Sequence, residues 1–419
     1  MASCAALMAM ETTMSTTMIS VSSVKPAIFW RILSLASVMV LSLVVIGCGP
    51  QSAASPTPDS REEDTGIYRA NWQRDGVYAG TGVDHVPSLA WTYPQANPAW
   101  QGVLVARDVV YYLVGYQLVA LEATSGKVLW TKKSSPILPA IANGVLYYED
   151  NRTLYALNLS TQSLLWHYDA PNKLTLSPLV ATEAVVVGTS AGEICAVDRS
   201  NGSQRWRAKV GDTTGDKDAR EPGSIPVSIA SADGRLFVVA QQIISPDNVD
   251  YVNYRDMIYS LDIAQGRKQW TTRPTARVQS LTATNGQLYL ATDDNYVSAL
   301  DQATGTTVWT YEPPAGAYGP LAVTGDTLFI GDTGSNVVAL SLRDRVIRWR
   351  FPTAGKVEGI SVSHNVVYAG SDDHRLYAIN EATGHERWHY ESAGAVWTPP
   401  VITNGAVYFA GEQGLFALH

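Results

Sequence analysis

The phrase LYAINEATGHERW, Leu376 to Trp388, recurs along the chain with small changes. LVALEATSGKVLW ends at Trp130, LYALNLSTQSLLW at Trp166, ICAVDRSNGSQRW at Trp206, IYSLDIAQGRKQW at Trp270, VSALDQATGTTVW at Trp309 and VVALSLRDRVIRW at Trp349. From Trp130 to Trp388 these tryptophans stand 36, 40, 64, 39, 40 and 39 residues apart. A unit of about 40 residues, repeated side by side, confines a chain to a propeller or a solenoid.

Each phrase reads as two short strands around a turn. Upstream lie two more β-rich runs flanking a tight turn, as in PLVATEAVVVGTS and PVITNGAVYFAGE. Asn143-Gly144, Asn285-Gly286 and Asn404-Gly405 mark such turns. Asn-Gly accepts the positive φ angles that a two-residue hairpin requires. Four short antiparallel strands per unit follow, and no segment keeps a helical period, which excludes a helical solenoid.

The ends of the repeat decide its closure. The chain stops at LFALH, Leu415 to His419, a third strand without a fourth. LAWTYP carries Trp91, 39 residues before Trp130, and is a fourth strand without a third. Joining the two completes an eighth unit and leaves no open sheet edge. The expectation is an all-β, eight-bladed propeller of four-stranded antiparallel blades within 71–419, closed by the strand near Trp91 pairing with the C-terminal strand 415–419. Trp91, Trp130, Trp166, Trp206, Trp270, Trp309, Trp349 and Trp388 are expected to wedge neighbouring blades together. The turn glycines Gly126, Gly202, Gly266, Gly305 and Gly384 would offer bare backbone for an indole to lie on.

The N-terminus reads as an address. Lys25 and Arg31 precede an apolar run from Ile32 to Ile46. That run is shorter than the about 20 residues of a membrane-spanning helix and has the layout of a secretory signal. It ends in VIGC, Val45 to Cys48, which resembles a bacterial lipobox. The resemblance implies cleavage of a signal peptide, 1–47, and lipidation of Cys48; Met18 is an alternative start. Residues 48–70 are rich in Pro, Ser and acids and are expected to form a loose tether. This places the protein in the cell envelope, anchored to a membrane on its extracytoplasmic side.

Acids outnumber bases by 38 to 30, which gives no support to a nucleic-acid surface. Cys4, Cys48 and Cys195 form neither a disulfide framework nor a zinc pattern, and Cys195 reads as core. GDTGSN precedes no helix, so it reads as a turn. His85, His364, His374, His385 and His389 are scattered and read as surface residues.

ALDQATGTTVW, Ala299 to Trp309, resembles the docking motif of the pyrroloquinoline-quinone-like propeller repeats, Ala-x-Asp-x-x-Thr-Gly-x-x-x-Trp. Gln162 and Arg345 replace the glycine in two units, and Ser260 replaces the alanine in a third. The resemblance implies the fold but leaves several functions open, from quinone-dependent dehydrogenases to BamB-type scaffolds. The dehydrogenases hold a quinone on the axis, with a calcium or lanthanide ion bound by Glu, Asn and Asp, and many stack the quinone on adjacent half-cystines. This chain has no adjacent cysteines, and Asp293-Asp294, Asp332 and Asp372-Asp373 read as turn residues. The expectation is a non-catalytic protein-binding scaffold, monomeric, without cofactor or metal. The alternatives are a quinone-dependent oxidoreductase and a cell-wall or sugar-binding module.

The long gap before Trp270 holds two insertions, Arg207–Ser224 and Gln241–Asp256, which should leave the same face of the ring. Tyr251, Tyr254 and Arg255 lie in the second. Trp100, Tyr318 and Trp397, with Tyr93, belong to other connections expected on that face. Together they form a candidate surface for extracytoplasmic or membrane protein partners.

Overall fold

Runs such as VVYYLV and TLFIGD are apolar at nearly every position, because a blade in a ring is covered by a neighbour on each side. The computed structural model describes residues 71, 74–95, 102–211, 224–244, 253–403 and 405–419. These form 32 strands and no helix, gathered into eight four-stranded antiparallel sheets. Blades 1 to 7 occupy residues 103–133, 140–169, 179–209, 225–272, 278–311, 317–352 and 357–391. Blade 8 is composite: Val401–Thr403, Ala406–Gly411 and Gly414–Leu418 take Leu89–Pro94 as their fourth strand. Trp91 pairs with Ala417 and Tyr93 with Leu415. The expected eight-bladed ring, closed by both ends of the chain, is the observed fold.

First strands pack on one another around the axis, and fourth strands lie outermost. One face of the ring carries the first-to-second turns and the third-to-fourth turns. The other, the crossover face, carries the second-to-third turns and the blade-to-blade connections. The apolar core is divided into eight clusters, each drawn from two neighbouring blades.

The repeated phrase explains these seams. In blade 5, Trp309, Ala299 and Tyr289 lie in register on adjacent strands and one face. The alanine is small enough for the two rings to meet above it, at 6.0 Å between centroids. Tyr111, Tyr147, Phe237, Phe329, Tyr368 and Tyr408 meet their own tryptophans in the same way. Five of the indoles then donate to the third-to-fourth turn of the next blade. Trp91 Nε1 donates to the Ala123 carbonyl at 2.8 Å, Trp270 to Gln302 at 3.0 Å and Trp349 to Glu381 at 2.8 Å. A Cβ on Gly126, Gly202, Gly305 or Gly384 would fall 2.5–2.6 Å from the facing ring. The aspartate of the phrase shapes the turn: Asp301 Oδ1 accepts the backbone N–H groups of Ala303 and Thr304. These bonds, with the Thr304 hydroxyl foremost, hold its carboxyl below the usual range.

Six of the eight indole N–H groups donate to a backbone carbonyl across the seam. The exceptions among the described residues are Trp130 and Trp309, which pack near Leu159 and Leu342. The turns beside those leucines hold Gln162 (φ 54°) and Arg345 (φ 59°) where glycine stands elsewhere. A side chain there holds the ring back from the turn, which accounts for the missing hydrogen bonds.

Residues 74–83 were not read from the sequence as an element, yet they strap the turn-bearing face. The carbonyl of Arg74 accepts from Thr282 Oγ1 at 3.1 Å, and that of Asp75 from the Val323 N–H at 3.0 Å. Val77 bridges Val362 in parallel, and Thr81 accepts from the Gly405 N–H at 2.8 Å. The strap thus crosses the first strands of blades 5, 6 and 7 and reaches blade 8. Blade 8 has no third-to-fourth turn, because the chain ends are there. The strap replaces it: Trp388 Nε1 donates to the Val83 carbonyl at 3.1 Å.

Replacing Arg345 or Gln162 with Gly relieves a left-handed backbone position and lets the indole close onto the turn. Each change is expected to stabilise the ring by about 1 kcal/mol, read as a higher denaturant midpoint at unchanged slope. A lower midpoint for both would show that these seams are not held apart by the side chain.

Candidate functional site

The crossover face holds the insertions and most of the candidate partner residues. Arg235–Ile244 and Asn253–Asp262 are ten-residue strands, the longest in the ring. Gln241–Ile244 pair in register with Asn253–Asp256, so the ends of the second insertion extend the blade 4 hairpin. This corrects the reading of 241–256 as loop throughout. The ladder continues past Ala240 on both arms without a break in register. Residues 245–252, and 212–223 of the first insertion, lie outside the described residues.

Tyr254 stands at the base of this hairpin, 44% exposed, with the Arg277 guanidinium 5.1 Å from its ring centre. Arg255 is partly buried, and its Nε has no hydrogen-bond partner. Tyr93 and Tyr318 are strand residues, in Leu89–Pro94 and Ala317–Thr324. Trp397 is half-buried in the crossover to blade 8, its backbone N–H donating to the Ala410 carbonyl at 3.1 Å. Trp100, Tyr251 and Cys48 lie outside the described residues. The described candidates therefore sit on blades 4, 6 and 8, on one face but not in one patch.

The carboxylates of this face are engaged with the chain itself. Asp256 accepts from the Val278 N–H at 2.7 Å and from Gln241 Nε2 at 3.2 Å, tying blade 4 to blade 5. Asp332 is fully buried and accepts from the backbone N–H and the side-chain amide of Asn336. Asp293 accepts from the Arg277 N–H, and Asp373 from Ala354 N–H and the Tyr377 hydroxyl. Burial pushes the carboxyls of Asp256 and Glu358 up, against their hydrogen bonds. Among the described residues, no three His, Cys, Asp or Glu side chains are grouped to hold a metal ion.

Glu149 is the exception in this tidy arrangement. Two residues past the aromatic partner on the second strand, blades 1 and 3 to 8 carry Leu, Gly, Val, Ala, Gly, Gly and Ala. Blade 2 carries Glu149, 1% exposed, with neither carboxylate oxygen hydrogen-bonded. Its sequence neighbours, YYED, look like an ordinary strand end, so the sequence gives no warning of it. Burial raises its carboxyl well above the usual range.

The geometry defines a class: an eight-bladed propeller of tryptophan-docked repeats whose crossover-face acids brace the chain. A family model described as outer membrane protein assembly factor BamB matches residues 85–311, 226–357 and 347–418, and the chain belongs to that family. BamB of Shewanella oneidensis is 26% identical over 209 residues, 47% of this chain and 49% of the relative. The chain thus matches about half the length of that relative. Among solved structures, quinohemoprotein alcohol dehydrogenase from Comamonas testosteroni superposes with a TM-score of 0.67 at 15% identity, over 86% of this chain and 81% of that one. BamB from Moraxella catarrhalis superposes at 0.58 and 16%, over 80% of this chain and 99% of that one. At these identities the structural likeness is one of fold alone.

Because the folded state raises the pKa of Glu149 above its unfolded value, stability is greatest with the group protonated and falls as pH rises through the raised value. Above it the penalty for an unpaired buried carboxylate is complete. Glu149→Gln is expected to gain about 1–3 kcal/mol at neutral pH and to flatten the stability profile between mildly acid and neutral pH. Parallel profiles for the two proteins would show that Glu149 is solvated.

Proposed function

We propose that the protein is a lipid-anchored, extracytoplasmic scaffold that binds other envelope proteins and performs no chemistry. The observation that carries this reading is the match of nearly the whole ring, residues 85 to 418, to a family described as assembly factors. The crossover-face acids Asp256, Asp332 and Asp373 support it, since each braces a turn or a seam. Anchoring rests on Cys48 at the end of the signal-like run. The partner surface is the extended hairpin of blade 4 and the connections beside it, where Tyr254 presents an exposed ring backed by Arg277.

Photo-crosslinking from position 254 in cells, with position 348 as a control on the outer strand of blade 6, tests the surface. A discrete adduct with an envelope protein from 254, lost when 245–252 are replaced by a two-residue turn, is the expected result. Identical adducts from both positions would remove the surface. Calorimetric titration of the full chain with pyrroloquinoline quinone and calcium should give no heat. Tight stoichiometric heat would overturn the non-catalytic reading.

A further inference from the structure

In every blade the fourth strand begins with a bulge immediately before its tryptophan, so the same position can be compared around the ring. The bulged residue has no partner on the third strand and lies near the turn-bearing face. In blades 3, 6 and 7 it is an arginine that folds back onto the first-to-second turn of its own blade. Arg205 donates to the Glu183 carbonyl at 3.1 Å, Arg348 to Asp326 Oδ2 at 2.7 Å and Arg387 to the Asn365 carbonyl at 3.2 Å. Blade 4 has Gln269 there, and blade 5 has Val308 beside Thr307.

Blades 8, 1 and 2 are consecutive and break this rule together. They carry Leu89-Ala90, Val128-Leu129 and Leu164-Leu165. Leu89 is 46% exposed, Leu129 47% and Leu164 51%, and Val86 just before Leu89 is 70% exposed. Leu129 and Leu165 stand at the solvent-facing bulges of blades 1 and 2, where blades 3, 6 and 7 carry arginine, and Val86 and Leu89 extend the exposed aliphatics onto blade 8. The turns beneath them offer little charge to repel an anionic surface. Blade 2 has none, at 143–144 and 158–163, and blade 1 balances Arg107 and Lys127 against Asp108 and Glu122. The whole chain carries a net charge of −8, so blades 1 and 2 form a locally neutral sector of an acidic protein, with exposed Asp84 beside blade 8.

The strap says which cover is in reach. It lies on the same turn-bearing face, and Arg74, its first residue, makes its contact there. Cys48 precedes Arg74 by 26 residues, a reach of at most about 90 Å. We propose that the aliphatic shoulder of blades 8, 1 and 2 rests on the lipid surface into which the chain is anchored, at the boundary of headgroups and acyl chains. This rests on the lipid-anchor reading above. It turns the crossover face, with its long hairpin, away from the bilayer.

The test uses the full lipidated chain in vesicles containing nitroxide-labelled phospholipid. A fluorophore is placed in the same turn of different blades through Lys127→Cys, Ser160→Cys, Gln265→Cys or Ala382→Cys; Cys195 is buried and stays unlabelled. Quenching by the lipid should be several-fold stronger at 127 and 160 than at 265 and 382. Adding Leu129→Glu and Leu165→Glu should abolish the difference while the unfolding transition persists. Equal quenching at all four positions would overturn the proposal, as would label-to-label transfer at 127 that marks a second copy as the cover. An intact mass separates the two failures. A lipidated Cys48 with even quenching sinks only the shoulder, whereas an unlipidated chain sinks the anchor and the shoulder together.

Discussion

Everything in this ring depends on an indole meeting a turn of the next blade. A blade alone is a small sheet with two apolar faces, and it has no core of its own. The eight cores exist only between blades, and each seam is crossed by one tryptophan packed against an aromatic or valine two strands inward. The alanine between the two rings, the glycine in the facing turn and the aspartate that shapes that turn all serve this contact. One interaction thus accounts for four of the five letters of the repeat motif. It also explains why departures are local: Gln162 and Arg345 loosen only the seams of Trp130 and Trp309, while neighbouring seams keep their hydrogen bonds.

Blade number, strand order and closure were legible because the seam contact demands large, rare residues at a constant interval. The split unit at Trp91 and Leu415 was legible for the same reason. The strap was not, since Arg74–Val83 is held by backbone groups and carries no period that a pattern could detect. Glu149 was hidden in another way. Its neighbours form a normal strand, and only comparison of equivalent places in eight blades shows that a carboxylate stands where small or aliphatic groups belong. The candidate partner residues were chosen by type and connection. The repeat placed Tyr254, Tyr318 and Trp397 in separate units, but residue type carried no information on how exposed each would be.

The two faces of the ring differ in what holds them. The turn-bearing face is stitched by tight turns, docking carbonyls and the strap, with side chains such as Asp301 and Arg348 securing individual turns. The crossover face is braced by side chains, with Asp256, Asp332 and Asp373 each gathering donors from the chain around them. Side-chain bracing tolerates insertions between its anchor points, whereas a docking turn of fixed length does not. Blade 4 accepts its long hairpin on the crossover face and keeps an unaltered third-to-fourth turn, with Trp206 donating to the Ile263 carbonyl at 3.0 Å.

The closing strand has a consequence for how the molecule is made. Ser88 and His419 exchange backbone hydrogen bonds although 331 residues separate them. During synthesis the strand Leu89–Pro94 therefore emerges first among the blades and finds its partner last. Until then Trp91 has neither Tyr408 beneath it nor the sheet of blade 8 behind it, and an unpaired apolar edge must wait through seven blades of growth. Joining ends so distant costs loop entropy that no nearby contact repays, and non-local pairing of this kind slows folding. The interval before it is when such a chain has most need of a chaperone.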